Sequence, residues 1–284
     1  MGHDVVVLTR RARPGPFRHV EWDGRTVGPW ARELEGSVVV NLAGELVDRR
    51  PNRANIDLLT RSRVEPTRAL VEASTTLSRP APVWVQASTL AIYGDAGDMV
   101  LDESAAPADG PPQMAGVATA WEAATAGANA ERLVILRTGI VLDNDTPALD
   151  RLWSLTRWGL GGRVGPGTQW VSWIHVDDWL AIVRELLLPT ASPMAGTVHA
   201  TGPNPVRNAD LMAALRRSVG RPAAPPTPQA LVHLGAVVLR TDPALALTGR
   251  RAVPTRLLDA GFEFRHPDLD EALADLRARH RAAS

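Results

Sequence analysis

Two residue types are missing from this 284-residue chain: it has no cysteine, and all 31 of its basic residues are arginine. Without cysteine there can be no disulfide, no thiolate nucleophile and no Cys-ligated zinc. Without lysine there can be no Schiff base and no lysine-assisted proton relay. An excess of either charge is lacking too, because 31 acidic residues balance the arginines. The chain therefore has no basic field to release counterions from DNA or RNA, which argues against nucleic acid as its main partner. Long apolar runs are also lacking. The longest, Leu231 to Leu239, is broken by His233 and Gly235 and falls far short of the roughly 18 residues of a membrane span. The opening residues do not read as a secretory signal, so a cytoplasmic protein is expected.

What remains is an ordinary globular composition, 45% apolar and 22% charged. Val5-Val6-Val7-Leu8, Val38-Val39-Val40-Asn41-Leu42, Val83-Trp84-Val85-Gln86-Ala87 and Leu133-Val134-Ile135-Leu136 are short runs without polar alternation, the pattern of strands buried on both faces. Helical periodicity fills the intervals at 63–73 and 117–128, so the pattern predicts an α/β protein with a mainly parallel, doubly wound sheet. Beyond residue 143 it loosens. Helices are expected near 148–158, after Asp177 or Asp178, at 229–239 and at 268–279, with a glycine-rich loop at 159–167. The four prolines between Arg221 and Pro228 mark a boundary, giving a first domain over 1–225 and a small C-terminal α+β segment over 226–284.

Parallel α/β sheets bind ligands beyond the carboxyl ends of their strands. The residues to inspect are therefore Thr9-Arg10-Arg11, Asn41 to Glu45, Ser88-Thr89 through Tyr93-Gly94-Asp95, and Arg137-Thr138-Gly139. An arginine after the second strand of a dinucleotide fold can meet the 2′-phosphate of NADP, which makes Arg10 and Arg11 candidates; a solvated surface charge is the plainer alternative. Small residues at Ala43-Gly44 would let the backbone approach a ligand, or simply make a tight turn. His175 with Asp177 and Asp178 is the one compact histidine and carboxylate cluster, suited to acid/base work near neutrality or, structurally, to capping a helix. No metal site is expected.

Together, Val38 to Glu45, Ser62 to Arg68, Ile92-Tyr93-Gly94-Asp95, Trp121-Glu122, Leu136 to Leu142, Gly159-Leu160-Gly161-Gly162, Trp173 to Asp178 and Gly261-Phe262-Glu263-Phe264 resemble, in this order, the epimerase-like atypical short-chain dehydrogenase/reductases. Those proteins join an NAD-dependent epimerase/dehydratase-type domain of Rossmann type to a small C-terminal domain of unknown function. The resemblance implies NADP contacts at Thr9, Arg10, Leu42, Ala43, Arg63 and Val141, and a carbonyl-polarising hydroxyl at Ser88 or Thr89. It implies an NADP-binding oxidoreductase or epimerase acting on a small, sugar-nucleotide-like substrate. A non-catalytic dinucleotide-binding regulator and an inactive truncated product are the alternatives.

The chain departs from that pattern twice. The wider superfamily uses a tyrosine activated by a lysine four residues later, whereas here Tyr93 is the only tyrosine, lysine is absent, and Pro112 to Val117 stands at the matching place. Losing a positioned acid/base is worth about 10²- to 10⁴-fold. Tyr93, His175 and Asp177 are the available substitutes. The first strand and its Gly-rich phosphate turn are also not seen before Gly2-His3-Asp4; the reading expects a start lying upstream and, for the chain as given, binding of NADPH weaker than micromolar. Arg-rich helices and nine tryptophans are compatible with a homodimer.

Overall fold

Aliphatic runs with no polar alternation need cover on both faces, and this requirement organises the molecule. The computed structural model describes residues 3–144, 146–188 and 193–283. Strand β1 (Val6–Thr9) pairs in parallel with β2 (Arg18–Glu21) as a separate two-stranded sheet. There follow β3 (Val39–Asn41), β4 (Trp84–Thr89), β5 (Val100–Leu101), β6 (Leu133–Thr138), β7 (Ile140–Leu142), β8 (Trp170–Val171), β9 (Trp173–His175), β10 (Gly196–Ala200), β11 (Val206–Arg207) and β12 (Arg251–Ala252). The central sheet is parallel, with the order β10-β6-β4-β3. Two-stranded pairs β7-β9, β5-β12 and β8-β11 surround it.

The helices are α1 (Arg53–Thr75), α2 (Val117–Ala123), α3 (Pro147–Arg157), α4 (Val176–Leu187), α5 (Asn208–Ser218), α6 (Gln229–Leu239), α7 (Ala244–Leu247), α8 (Thr255–Asp259) and α9 (Leu269–Ala283). Alternation along β4 sends Trp84 into one apolar cluster with Leu70 of α1, Trp30 and Val39, while Val83 and Val85 join Ile182 and Leu186 of α4 in another. A third cluster unites Trp153, Trp173, Leu211, Leu215, Leu273 and Leu276, so α9 shares a core with α3 and α5. Among the described residues no helix is long and apolar enough to cross a membrane.

Three elements differ from the sequence reading. β2 was not expected, because Arg18-His19-Val20-Glu21 alternates and stays half exposed. α1 begins ten residues before Arg63, at Arg53, where the Asn52 side chain caps it by accepting from the Asn55 N–H at 2.9 Å. α2 stops at Ala123, and a wide turn over Pro112–Gly116 precedes it. Among the described residues β1 and β3 each pair on one side only. The Val39 N–H points toward β4 and donates to the Val83 carbonyl at 2.9 Å, so the Val40 N–H, one residue on, points to the open side.

Candidate functional site

Register places Ser88 of β4, Arg137 of β6 and His199 of β10 in one row across the central sheet, near its carboxyl end. Glu122 reaches this row from α2. Its Oε1 accepts from Ser88 Oγ at 2.5 Å and from Arg137 Nε at 2.8 Å, and its Oε2 accepts from Arg137 Nη2 at 2.8 Å. Arg137 Nη1 donates to the Tyr93 hydroxyl at 2.7 Å, and the guanidinium lies 5.1 Å from the Tyr93 ring centre. Tyr93, on a 3₁₀ turn just after β4, meets His199 Nε2 at 2.6 Å, while His199 Nδ1 is 2.9 Å from the Val253 carbonyl. A carbonyl can only accept, so Nδ1 carries the proton, Nε2 is the acceptor, and Tyr93 donates to it.

The electrostatics follow from burial. Burial pushes His199 down to about 4; the Val253 carbonyl resists this and the Arg137 charge reinforces it. Burial pushes the Tyr93 hydroxyl up, partly offset by Arg137. Burial also opposes the Arg137 charge, but the hydrogen bonds and charge of Glu122, joined by Tyr93, outweigh it and hold that guanidinium above its usual range. His199 is thus neutral at pH 7. Ser88 commits its proton to Glu122 and Tyr93, only 3% exposed, commits its proton to His199. Thr89 is different: half buried, its Oγ1 accepts from the Ala91 N–H at 3.1 Å, and among the described residues its own proton has no acceptor.

The tip of β3 is built around a buried amide. Asn41 Nδ2 donates to Thr67 Oγ1 and to Gln86 Oε1, both at 2.9 Å, and Asn41 Oδ1 accepts from the Ala43 N–H at 3.1 Å. That fixes the turn Leu42-Ala43-Gly44, where a Cβ on Gly44 would come within 3.0 Å of Arg63 Cζ. Arg63, on α1, donates from Nη2 to the Glu45 carbonyl at 2.8 Å and lies 5.1 Å from the Trp121 ring centre. Arg10, just beyond β1, reaches Glu45 Oε1 at 3.1 Å, and Arg49 Nη2 lies 3.3 Å from Glu45 Oε2. Buried and without a hydrogen-bond partner are Arg49 Nε, Gln113 Oε1 and Trp121 Nε1.

The structure therefore gathers Arg10, Ala43 and Arg63 at one strand tip, with Leu42 exposed on the same turn and Thr9 at the end of β1, its hydroxyl on the Arg11 carbonyl. Val141 is not among them: it sits on β7 against the apolar cluster of Ile174 and Val83. His175 and Asp177 also lie apart from Ser88 and Tyr93. His175 is fully buried, its Nδ1 accepts from the Asp177 N–H at 3.1 Å, and its Nε2 faces Asp275 Oδ2 of α9 at 3.1 Å. Asp177 holds Arg279 of α9 through both oxygens, at 3.0 and 2.5 Å. These groups clamp α9 onto the start of α4. Burial and the nearby His266 charge lower the His175 pKa, against the pull of Asp177 and Asp275. His175, Asp177 and His266 bring potential ligand atoms within 4.8 Å of one another, yet the two imidazoles stack with planes 30° apart. The Asp177 carboxylate is already taken up by the Arg279 guanidinium, and His266 Nε2 is buried without a hydrogen-bond partner.

Several arginines lack an ion-pair partner among the described residues, and Arg250 is one of those whose pKa burial shifts. Arg250, preceding β12, donates from Nη2 to Thr248 Oγ1 at 3.1 Å, leaves its buried Nε unpartnered, and has no carboxylate at ion-pair distance among the described residues. Burial lowers its pKa, opposed by Asp95. Sequence reasoning marked Ser88, Thr89 and Tyr93 but did not assign roles to Glu122, Arg137, His199 or Arg250. Glu122 and Arg137 stood in its motifs, whereas His199, one residue before the end of β10, stands in no motif that the sequence reading marked.

Residues 227–276 match a family described as a domain of unknown function, DUF1731. The chain is 33% identical over 282 residues to the epimerase family protein SDR39U1 of Bos taurus, covering 98% of this chain and 92% of that protein. It is 35% identical over 277 residues to the epimerase family protein Mb2239 of Mycobacterium bovis, covering 95% and 88%. Among solved structures, human SDR39U1 with NADPH superposes with a TM-score of 0.84 at 30% identity, over 98% of this chain and 92% of that one. A nucleoside-diphosphate sugar epimerase from Corynebacterium glutamicum gives 0.75 at 31% identity, over 97% of this chain and 53% of its own. The shared architecture is the Rossmann-type epimerase fold.

Proposed function

The chain belongs to the epimerase family represented by SDR39U1, and from that premise we propose that it binds NADP(H) along the tips of β1, β3, β4 and β6 and acts as an oxidoreductase or epimerase on a small anionic substrate. The observation that carries the reading is the convergence of Arg10 and Arg63 on the turn after β3. Planar guanidinium forks match phosphate oxygens in pairs, so Arg10 and Arg63 would hold the adenosine phosphate. Gly44 keeps the backbone beside Arg63 bare, a fit that a Cβ would spoil. The NADPH held by the human relative supports the cofactor. When bound, that cofactor supplies hydride chemistry.

The remaining roles fall to this chain's own groups. Thr89 is the hydroxyl free to donate to a substrate carbonyl, and it occupies the end of β4 beside the Tyr93 turn. Ser88, Glu122, Arg137, Tyr93 and His199 form a buried, hydrogen-bonded floor beneath it, and the Tyr93-to-His199 hydrogen bond holds a proton there. Arg250 would receive the substrate's anionic group, since a buried guanidinium with no carboxylate at ion-pair distance among the described residues is costly. We place the cofactor on 1–225 and let 226–284 close over the substrate.

A second reading, a dinucleotide-binding protein that does not catalyse, is favoured by the commitment of the Ser88 and Tyr93 protons inside the protein. Tryptophan fluorescence titrations with NADPH and NADH test the binding: NADPH binds tighter, and Arg10→Ala removes the difference. Equal affinity of the unaltered protein for both would defeat the NADP assignment. Nicotinamide absorbance followed across a panel of nucleotide sugars separates catalysis from binding alone.

A further inference from the structure

Glu45 sits inside the cluster that should receive the cofactor's phosphate, and it is itself an anion. Its backbone is fixed from two sides: the N–H donates to Ser62 Oγ at 3.1 Å, and the carbonyl accepts from Arg63 Nη2 at 2.8 Å. Only the side chain is free to turn. That side chain spans two guanidinia, with Oε1 3.1 Å from Arg10 and Oε2 3.3 Å from Arg49. Among the described residues neither arginine has another carboxylate at ion-pair distance, and Arg63 has none. Three cations thus surround one carboxylate, and Arg49 keeps a buried Nε without a partner. The excess of positive charge calls for a further anion, while Glu45 already holds the two outermost donors.

A carboxylate offers two oxygens to such forks, and a phosphate offers three with about twice the charge. The exchange is graded, because Arg10 is 74% exposed and Glu45 29%, and exposed pairs are weak. Building on the NADP(H) reading, we propose that Glu45 is a resident counter-anion, occupying Arg10 and Arg49 in the free protein and displaced from them by the adenosine 2′-phosphate. It would thereby set how strongly the protein prefers phosphorylated over unphosphorylated dinucleotides. Loss of its charge frees two forks and removes a repulsion from the incoming phosphate. Its conservative shortening keeps both.

The test uses adenosine 2′,5′-bisphosphate and adenosine 5′-monophosphate as probes, with affinities measured by calorimetry on the full chain. No turnover is involved. Glu45→Gln should bind the bisphosphate about three- to tenfold tighter, on the scale of one or two exposed ion pairs, and the monophosphate within about twofold of the original. Glu45→Asp should stay within about twofold for both. Unchanged or weaker bisphosphate binding by Glu45→Gln overturns the proposal, as does an equal gain with Glu45→Asp, which would make side-chain size the cause. Arg10→Ala serves as the separate control. If it leaves bisphosphate binding intact, the NADP(H) reading fails; if it weakens binding while Glu45→Gln gains nothing, only the role of Glu45 fails. Matching urea midpoints for the variants exclude a folding defect.

Discussion

Glu122→Ala is the most demanding perturbation of the buried row. The carboxylate accepts three hydrogen bonds at 2.5, 2.8 and 2.8 Å, two of them from Arg137. The side chains of Arg137 and Glu122 are only 7% and 16% exposed. Removing Glu122 leaves a guanidinium buried with one neutral partner, the Tyr93 hydroxyl, and strands the Ser88 donor. Breaking a buried pair from one side costs about 3–5 kcal/mol, which at about 2–4 °C per kcal/mol lowers Tm by about 10 °C. Most of that loss is the uncompensated charge rather than the bond, so removing the charge as well should recover part of it. Urea midpoints of Glu122→Ala, Arg137→Met and the double variant make the cycle, with the double variant more stable than Glu122→Ala alone. A Glu122→Ala loss below about 1 kcal/mol, or a double variant that simply adds the two losses, would refute the reasoning.

Further expectations follow from the same geometry. His199 falls from its usual 6.5 to about 4, so the unfolded chain takes up a proton before the folded one does. Stability is complete above about pH 6.5 and declines as pH drops toward 4, by about 3 kcal/mol in all; His199→Gln should flatten that decline in urea midpoints measured from pH 7 to 4.5. Gly44→Ala pushes a methyl group against Arg63 and should weaken NADPH binding several-fold in fluorescence titration while leaving the fold intact by circular dichroism. Asn52→Ala removes the cap of α1 and should cost about 1 kcal/mol in chemical unfolding, with no effect on cofactor affinity. Arg250→Met keeps the apolar stem and removes the unpaired charge, so it should raise Tm and abolish turnover of any anionic substrate.

The aliphatic runs at 38–42, 83–87 and 133–136 were readable as strands and appear as β3, β4 and β6, but the expected burial on both faces fails for β3, where Val39 and Asn41 are buried while Val38, Val40 and Leu42 are exposed because one edge and one face of that strand stay uncovered. Arg18-His19-Val20-Glu21 was not readable, since a half-exposed two-stranded edge leaves a polar pattern. Strand ends pointed to Arg10, Ala43, Ser88 and Tyr93 because ligands of parallel sheets gather there. His199 escaped because its meaning lies in register: it becomes legible only when β10 aligns with β6 and sets it beside Arg137. The His175 and Asp177 cluster was open to two readings, acid/base chemistry or the capping of a helix, and its partners bear on the second. Proximity in sequence suggested chemistry, whereas Asp275 and Arg279, a hundred residues later, turn it into a clamp. Glu122 was marked only as part of the Trp121-Glu122 motif, and its role became legible when α2 laid it over Ser88 and Arg137.

The open side of β3 carries a consequence for handling the protein. Val40 turns its amide away from β4, and Val38 and Val40 are both partly exposed beside it. A β-branched rim whose donors and acceptors pair with no other strand among the described residues is a template for any extended segment that meets it. Concentrated samples should therefore thicken by rim-to-rim accretion, and a single charged residue in place of exposed Val38, at the end of the strand away from the Leu42-Ala43-Gly44 turn, should raise the solubility ceiling.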